Sequence, residues 1–379
     1  MLRIWHRPLL AAIAAEASSK LRDFLPQNLT NTAWSLSKLE YAHLPLLDAL
    51  AAAAIRLSRD LASQDIGNTA WAFASLAVAN LPFLHAISSQ AIRIIGQFNP
   101  QERSNTAWAL AKLVWSDLPL LNAISAASRA KIRDLGSQDI SNTAWSFAKL
   151  ALRDQPLLEA LAAEALRKCG DFNPQDLGNT AWSCAILAVS DAPLLAAIAA
   201  EAIASMPQFS SQDLGNTAWA FAALKVRDLP LLQAISTQSI SQLAELLPQN
   251  LTNIAWACAT LGVQDTPLLS AISAESIAKI GESNCQNLSN TAWSYATCSL
   301  MVEPLLAAIA SSARRMSLEF EPQELANTAW SFATRSVLDR PLMHALSSSA
   351  IRTLAEFDGQ EIANTAWAFA KLQVDNVPL

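Results

Sequence analysis

An all-α solenoid of ten helical hairpins is what this sequence predicts, and three observations carry the prediction. The first is a repeat. Asn-Thr-Ala-Trp returns from Asn31-Thr32-Ala33-Trp34 to Asn364-Thr365-Ala366-Trp367, with Ile254 its one change, and Trp34, Trp71, Trp108, Trp145, Trp182, Trp219, Trp256, Trp293, Trp330 and Trp367 follow at steps of 37 residues. A fixed period of this length belongs to stacked supersecondary units, each contacting mainly the next. The second is composition: 52% of residues are hydrophobic and 15% charged, so apolar surface is ample for burial between helices. Third, each unit carries two helix-start signals and no strand pattern.

The units are counted from a proline that returns at Pro8, Pro45, Pro82, Pro119 and so on to Pro378. Residues 1–379 therefore read as one helical-repeat domain, with ten units over residues 8–377. Solenoids shield their terminal stacking faces with polar capping repeats. No such repeat is visible at either end, so the chain is expected to be a fragment of a longer array.

Each unit opens with a leading helix. Its proline stands in the first turn, where a missing N–H costs nothing, and Leu-Leu-x-Ala-Ile follows, as in Pro193 to Ile198. Asp117, Asp154, Asp191, Asp228, Asp265 and Asp339 precede that proline by two residues, where a carboxylate caps free amides. The helix is expected to end near Phe98, Leu135 or Phe172. A trailing helix then starts at signals such as Asn99-Pro100 and Asn173-Pro174, with an acid in its first turn, and runs through the Trp motif toward Val189 or Val226. Short loops make each pair an antiparallel hairpin.

A projection at 100° per residue sorts the faces of the trailing helix. Leu29, Ala33 and Leu36 turn toward the leading helix. Trp34, Ser37 and Tyr41 lie on one packing flank, Thr32 and Leu39 on the other, so the Trp reads as a core residue between units. One arc remains for solvent or ligand, and it holds Gln27, Asn31, Ser35, Lys38 and Ala42 with their equivalents. The invariant members are the candidate binding residues Asn31, Asn68, Asn105, Asn142, Asn179, Asn216, Asn253, Asn290, Asn327 and Asn364. The variable positions add Lys38, Lys112, Lys149, Arg153, Arg227 and Lys371. Two readings of the Asn stand open: a hydrogen-bonded ladder between neighbouring helices, or ligand contact. The Gln is equally a capping aid or a groove donor.

Charge narrows the choice of partner. The formal balance of 26 Lys and Arg against 32 Asp and Glu, a net of −6, opposes nucleic-acid binding by bulk electrostatics. Asp65, Glu102, Asp139, Asp176, Asp213, Glu324 and Glu361 are expected to line the rim of the open arc. Arg56, Arg93, Arg133, Arg167, Lys168, Arg315 and Arg352, in the last turns of the leading helices, serve either a ligand or the helix C-termini. The cysteines Cys169, Cys184, Cys258, Cys285 and Cys298 show no paired spacing, and Cys184 and Cys258 replace a repeated Phe. They read as core fillers in a reducing compartment. With four His, nine Gly and no metal-ligand or nucleophile–base spacing, the chain is expected to be no enzyme, to hold no cofactor or metal and to take no small-molecule substrate. Apolar runs break well before about 18 residues, so no membrane span is expected. No signal or transit segment is visible from Met1.

The motif Gln-x-Leu-x-Asn-Thr-Ala-Trp-Ala-Phe-Ala-x-Leu, as in Gln212 to Leu224, resembles the core of octotricopeptide repeats and, in its period, the 37-residue heptatricopeptide repeats. Similar hairpins occur in RNA-editing substrate-binding components and in organellar proteins that end in a RAP domain. The resemblance covers essentially the whole chain. It implies sequence-selective binding of single-stranded RNA along the solenoid, in mitochondrial or plastid RNA processing, stability or editing. The competing expectation is a non-enzymatic scaffold for protein partners.

Overall fold

The structure, a computed structural model, describes residues 6–374. Among these residues twenty α-helices follow one another and no strand occurs, so the fold is the all-α solenoid that the period predicts. Contacts divide the chain into two compact units, residues 1–197 and 198–379. In the first, the trailing helices Pro26–Lys38, Ser63–Ser75, Pro100–Lys112, Ser137–Lys149 and Pro174–Ile186 pack each on the next. In the second, Ser211–Ala223, Pro248–Leu261, Cys285–Thr297, Pro322–Thr334 and Gly359–Lys371 do the same. Leading helices such as Leu81–Ile94 and Thr266–Ala278 touch their equivalents more lightly.

Small residues before each motif Asn permit the close approach of the trailing helices. A Cβ on Gly67 would lie 3.5 Å from the backbone of Glu102, and one on Gly215 would meet Asn250 Cα at 3.1 Å. Three hydroxyls at this position donate to the first-turn acid of the next repeat, Thr30 to Asp65 at 3.1 Å, Ser104 to Asp139 at 2.9 Å and Ser141 to Asp176 at 2.6 Å, while Ser289 donates to Gln286 O of its own helix.

The helix starts follow the sequence signals. Asp117, Asp154 and Asp228 accept from the amides of Leu120, Leu157 and Leu231 at 3.0–3.1 Å. Their second oxygen accepts from a serine of the preceding leading helix for Asp117, Asp154 and Asp265, through Ser88, Ser125 and Ser236. Asn99 with Glu102, and Asn173 with Asp176, form reciprocal capping boxes. Such a cap contributes about 1 kcal/mol. Most leading helices stop earlier than expected and tighten into one 3-10 turn, as at Ile95–Gln97. The next residue, Phe98, is extended and buried.

The trailing helix also stops short of the expected hydrophobe. It ends at the Lys38 position, and two residues later the backbone turns left-handed in every repeat: Glu40, Ala77, Val114, Ala151, Ala188, Lys225, Gly262, Ser299, Ser336 and Gln373 have φ between 50° and 64°. The following amide returns to the helix, Val189 N to Cys184 O at 2.8 Å and Val226 N to Phe221 O at 2.8 Å. This is the bonding of a Schellman end, and the expected terminal hydrophobes are its anchors rather than helical residues.

The core lies between the two helices of a hairpin and those of its neighbours. Phe73, Phe147, Phe221 and Phe332 are fully buried at one repeat position, and Tyr295 fills the same place with its hydroxyl bonded to Leu269 O. Cys184, at that position, leaves an apolar hollow lined by Ile140, Leu158, Leu161 and Leu194. Arg103 breaks the pattern more sharply. It is 1% exposed where other repeats carry Leu29, Ile66 or Ile140, it donates to Phe98 O, and its Nε and Nη2 have no partner. Burial lowers its pKa against the pull of Asp139, Asp134 and Glu102.

Candidate nucleic-acid interface

The arc left open by helix packing is a polar strip over a row of tryptophans. Gln27 and its nine equivalents are all exposed, in the first turn of each trailing helix. Asn31 is exposed and the other nine motif Asn are half-buried. Among the described residues, no side-chain amide of either set has a hydrogen-bond partner within the protein. The Asn ladder therefore does not form: the neighbouring helix offers only backbone already bonded within itself. The serines one turn on donate to the backbone carbonyls of Asn142, Asn179, Asn290 and Asn327 at 2.6 Å and leave the side-chain amides of these residues unengaged. Capping does not employ the Gln either, because the caps are made by the residues flanking it.

Beside the amides run the tryptophans, half-buried rather than wholly core. Ring centroids of Trp71, Trp108, Trp145 and Trp182 are 6.3–6.4 Å apart, and those of Trp219, Trp256 and Trp293 are 6.2–6.5 Å apart. Within these two runs each ring packs on the ring of the next repeat and stays partly open to solvent. Trp34 and Trp367 are 44% exposed.

Lys38, Lys112, Lys149 and Lys371 stand four residues after a Trp and are exposed. Lys38 Nζ lies 5.5 Å from the Trp34 ring centroid and 4.7 Å from that of Trp71, and Lys371 Nζ lies 4.7 Å from that of Trp367. At these distances an ammonium gains cation–π attraction. Lys112 and Lys149 have no partner among the described residues. Arg153 and Arg227 are exposed but lie past the left-handed residue, in the loop that leads to the next proline. The wheel that placed them on the arc fails there, since it assumes a helix that has already ended.

The expected acidic rim is corrected by bonding. Asp65, Asp139 and Asp176 receive the N-cap amides of Ala62, Gly136 and Asn173, and hydroxyls of the preceding repeat hold their other oxygens. Glu102, Asp213, Glu324 and Glu361 also accept N-cap amides. These carboxylates face the helix starts. Most of the basic set at the leading-helix ends is also engaged, Arg167 and Arg315 with Glu164 and Ser312 of their own helices, while Arg133 has no side-chain partner among the described residues. Lys279 bonds Ala244 O at 2.6 Å and Leu246 O at 2.8 Å, Lys168 bonds Arg133 O and Leu135 O, and Arg56, Arg93 and Arg352 reach Leu21 O, Arg59 O and Leu318 O. Every one of these carbonyls belongs to the preceding repeat.

All five cysteines are buried free thiols, and burial pushes Cys184 and Cys258 up to about 12 and Cys285 to about 11. Among the described residues no group of His, Cys, Asp and Glu is placed to hold a metal ion, and no helix is long and apolar enough to cross a membrane. What the strip offers is hydrogen-bonding amides, apolar ring edges and lysines.

A family model described as RNA-editing substrate-binding complex 6 protein matches residues 1–155, 120–266 and 260–377. The chain belongs to this family. No curated protein matches it. The three matches to the RNA-editing substrate-binding complex 6 family overlap and tile the repeats, so the family signal lies in the hairpin itself rather than in an added module. In this member of the family the sequence named Asn and Lys positions that the structure leaves exposed or half-buried on the trailing helices. It missed the exposed edge of the Trp row and the early helix ends. The signal for the ends was present: every repeat carries the same spacing from Trp to the following hydrophobe.

Proposed function

We propose that the chain binds single-stranded RNA along its trailing-helix strip, as a component of an RNA-editing complex in the mitochondrion. The observation that supports this reading is the strip of unpartnered amides beside half-exposed tryptophans, with Lys38, Lys112 and Lys149 on the same face. Amides carry both a donor and an acceptor and so match base edges, sugars and phosphate oxygens. Ring edges accept unstacked bases, and the lysines contact phosphates. Family membership supports the RNA-editing setting and the mitochondrial location. The net charge of −6 opposes the reading less than the sequence implies, because the first-turn acids are turned into caps.

Fluorescence anisotropy with labelled single-stranded RNA, duplex RNA and DNA, at low and near-physiological salt, tests the proposal. Saturable binding that prefers single-stranded RNA and weakens with salt is expected, since each phosphate contact on a single strand adds about −0.7 to the slope of log K against log salt. No binding at micromolar protein would overturn it.

A further inference from the structure

The two compact units differ in charge. Residues 1–197 hold 17 Lys and Arg against 16 Asp and Glu, whereas residues 198–379 hold nine against 16. The acidity of the chain resides in the second unit. There Glu245, Glu282, Glu319 and Glu356 recur at one repeat position, in the turns that enter successive trailing helices, and all four are exposed. None has a side-chain partner among the described residues. In the first unit the equivalents are Asp23, Asp60, Asp134 and Asp171, of which the first three follow an arginine, Arg22, Arg59 or Arg133, and Asp171 follows Gly170; in the second the preceding residues are Ala244, Gly281, Leu318 and Ala355.

A second difference lies in the tryptophans. In the first unit Lys38 fills the place between Trp34 and Trp71, four residues after Trp34. In the second unit the equivalent place between Trp293 and Trp330 falls to Thr297, which is exposed and carries no charge. Trp330 is half-buried and, among the described residues, has neither a ring neighbour nor a cation over it. Asn290, Asn327 and Gln323 stand free on the same face, and exposed Glu319 and Glu321 stand at its N-terminal edge.

We infer that this face of the second unit docks an extended, lysine- or arginine-rich segment of a protein partner, which seats a cation on Trp330. The chain's own Lys38 shows that a tryptophan in this frame takes an ammonium. Extended backbone presents N–H and C=O groups along its length, and each free amide offers the complementary acceptor and donor. The glutamates attract such a segment and repel phosphate, which sets this part of the strip apart from the part bearing Lys38, Lys112 and Lys149, where RNA is proposed.

One substitution separates the two occupants. Thr297→Lys gives repeat eight the lysine that repeats one, three, four and ten already carry, so folding is expected to be retained. Binding of fluorescein-labelled decalysine and of a labelled oligouridine would be measured with the full chain, the Thr297→Lys variant and Ser75→Lys, which adds the same charge to the first unit. The expected result is saturable decalysine binding that Thr297→Lys weakens by about tenfold, the scale of one desolvated cation–π contact. Ser75→Lys should leave it within about twofold, as a distant exposed charge is largely screened. Equal weakening by both variants would mean attraction by net charge alone and would overturn the inference. So would unchanged decalysine binding with tighter oligouridine binding in Thr297→Lys, which would assign this face to RNA. Glu319→Gln with Glu321→Gln provides an independent check: a loss of decalysine affinity with unchanged oligouridine affinity supports the seat, and no loss overturns it.

Discussion

Lys168 and Lys149 lie in neighbouring helices of the same repeat array and have opposite surroundings. Lys168 is at the end of a leading helix and holds two carbonyls of the preceding repeat; Lys149 is at the end of a trailing helix and holds nothing. The same contrast divides the amides. Gln90 and Gln242, at leading-helix ends, bond Leu61 O at 3.1 Å and Phe209 O at 3.3 Å, whereas the side chains of the strip's Gln27-type and Asn31-type residues are unpartnered. The difference teaches that residue type does not decide whether a polar group is structural. What decides is whether the neighbouring repeat presents a carbonyl that its own helix has left unbonded, as the 3-10 turns do and mid-helix backbone does not.

Arg103 is a third case, a cation enclosed without adequate partners, and it gives the largest expected effect. Arg103→Leu restores the residue type of the other repeats and should stabilise the chain by about 1–4 kcal/mol, the range for replacing a buried charge with a packed apolar side chain. A lower midpoint in urea would mean that unseen partners hold the guanidinium. Next comes the bonded lysine. Lys279→Met leaves Ala244 O and Leu246 O without their donor and should cost about 1.5–3 kcal/mol. Lys149→Met should change stability by less than about 0.5 kcal/mol, as for surface sites in general. Equal losses would erase the distinction between the two regions.

The unpartnered lysines should register in binding instead. Lys112→Ala with Lys149→Ala should weaken single-stranded RNA by about tenfold at low salt and reduce the salt slope by about 1.4 units, at unchanged helicity by circular dichroism. Unchanged affinity would remove both from the interface. The smallest effect concerns the turn that ends the strip. Val114 is β-branched, has φ 52° and is 71% exposed. Val114→Gly should raise stability by about 1 kcal/mol in thermal denaturation, because a left-handed backbone is costly for a branched side chain and free for Gly.

Much of the fold was legible because the repeat multiplies weak signals. A single Asn-Pro followed by an acid is a modest helix start; its recurrence at constant spacing fixes the hairpin. The helix ends were less legible because only Gly262 among ten left-handed positions is a glycine, and Ala, Val or Ser there carry no turn signal. In the candidate site, the projection reaches Asn31 and Lys38, which lie within the helix, but not Arg153 and Arg227, since angular reasoning stops where the helix does. It also set the first-turn acids on a rim. Their hydroxyl partners lie in the adjacent repeat, at Thr30, Ser104 and Ser141, and one helix viewed alone does not contain them.

The bonds that join repeats have a further consequence, in time rather than in space. Thr30 to Asp65, Ser88 to Asp117, Lys279 to Leu246 O and Ser349 to Ser317 O all link groups 29 to 35 residues apart in the chain. No distant segment has to arrive before these bonds can close. At ribosomal rates of about 5–20 residues per second, a 37-residue unit emerges in roughly 2–7 s, far longer than helix formation and local loop closure require. Each hairpin therefore has time to dock on its predecessor before the next is made, and the array grows in the direction of synthesis with few unpartnered apolar faces at any moment.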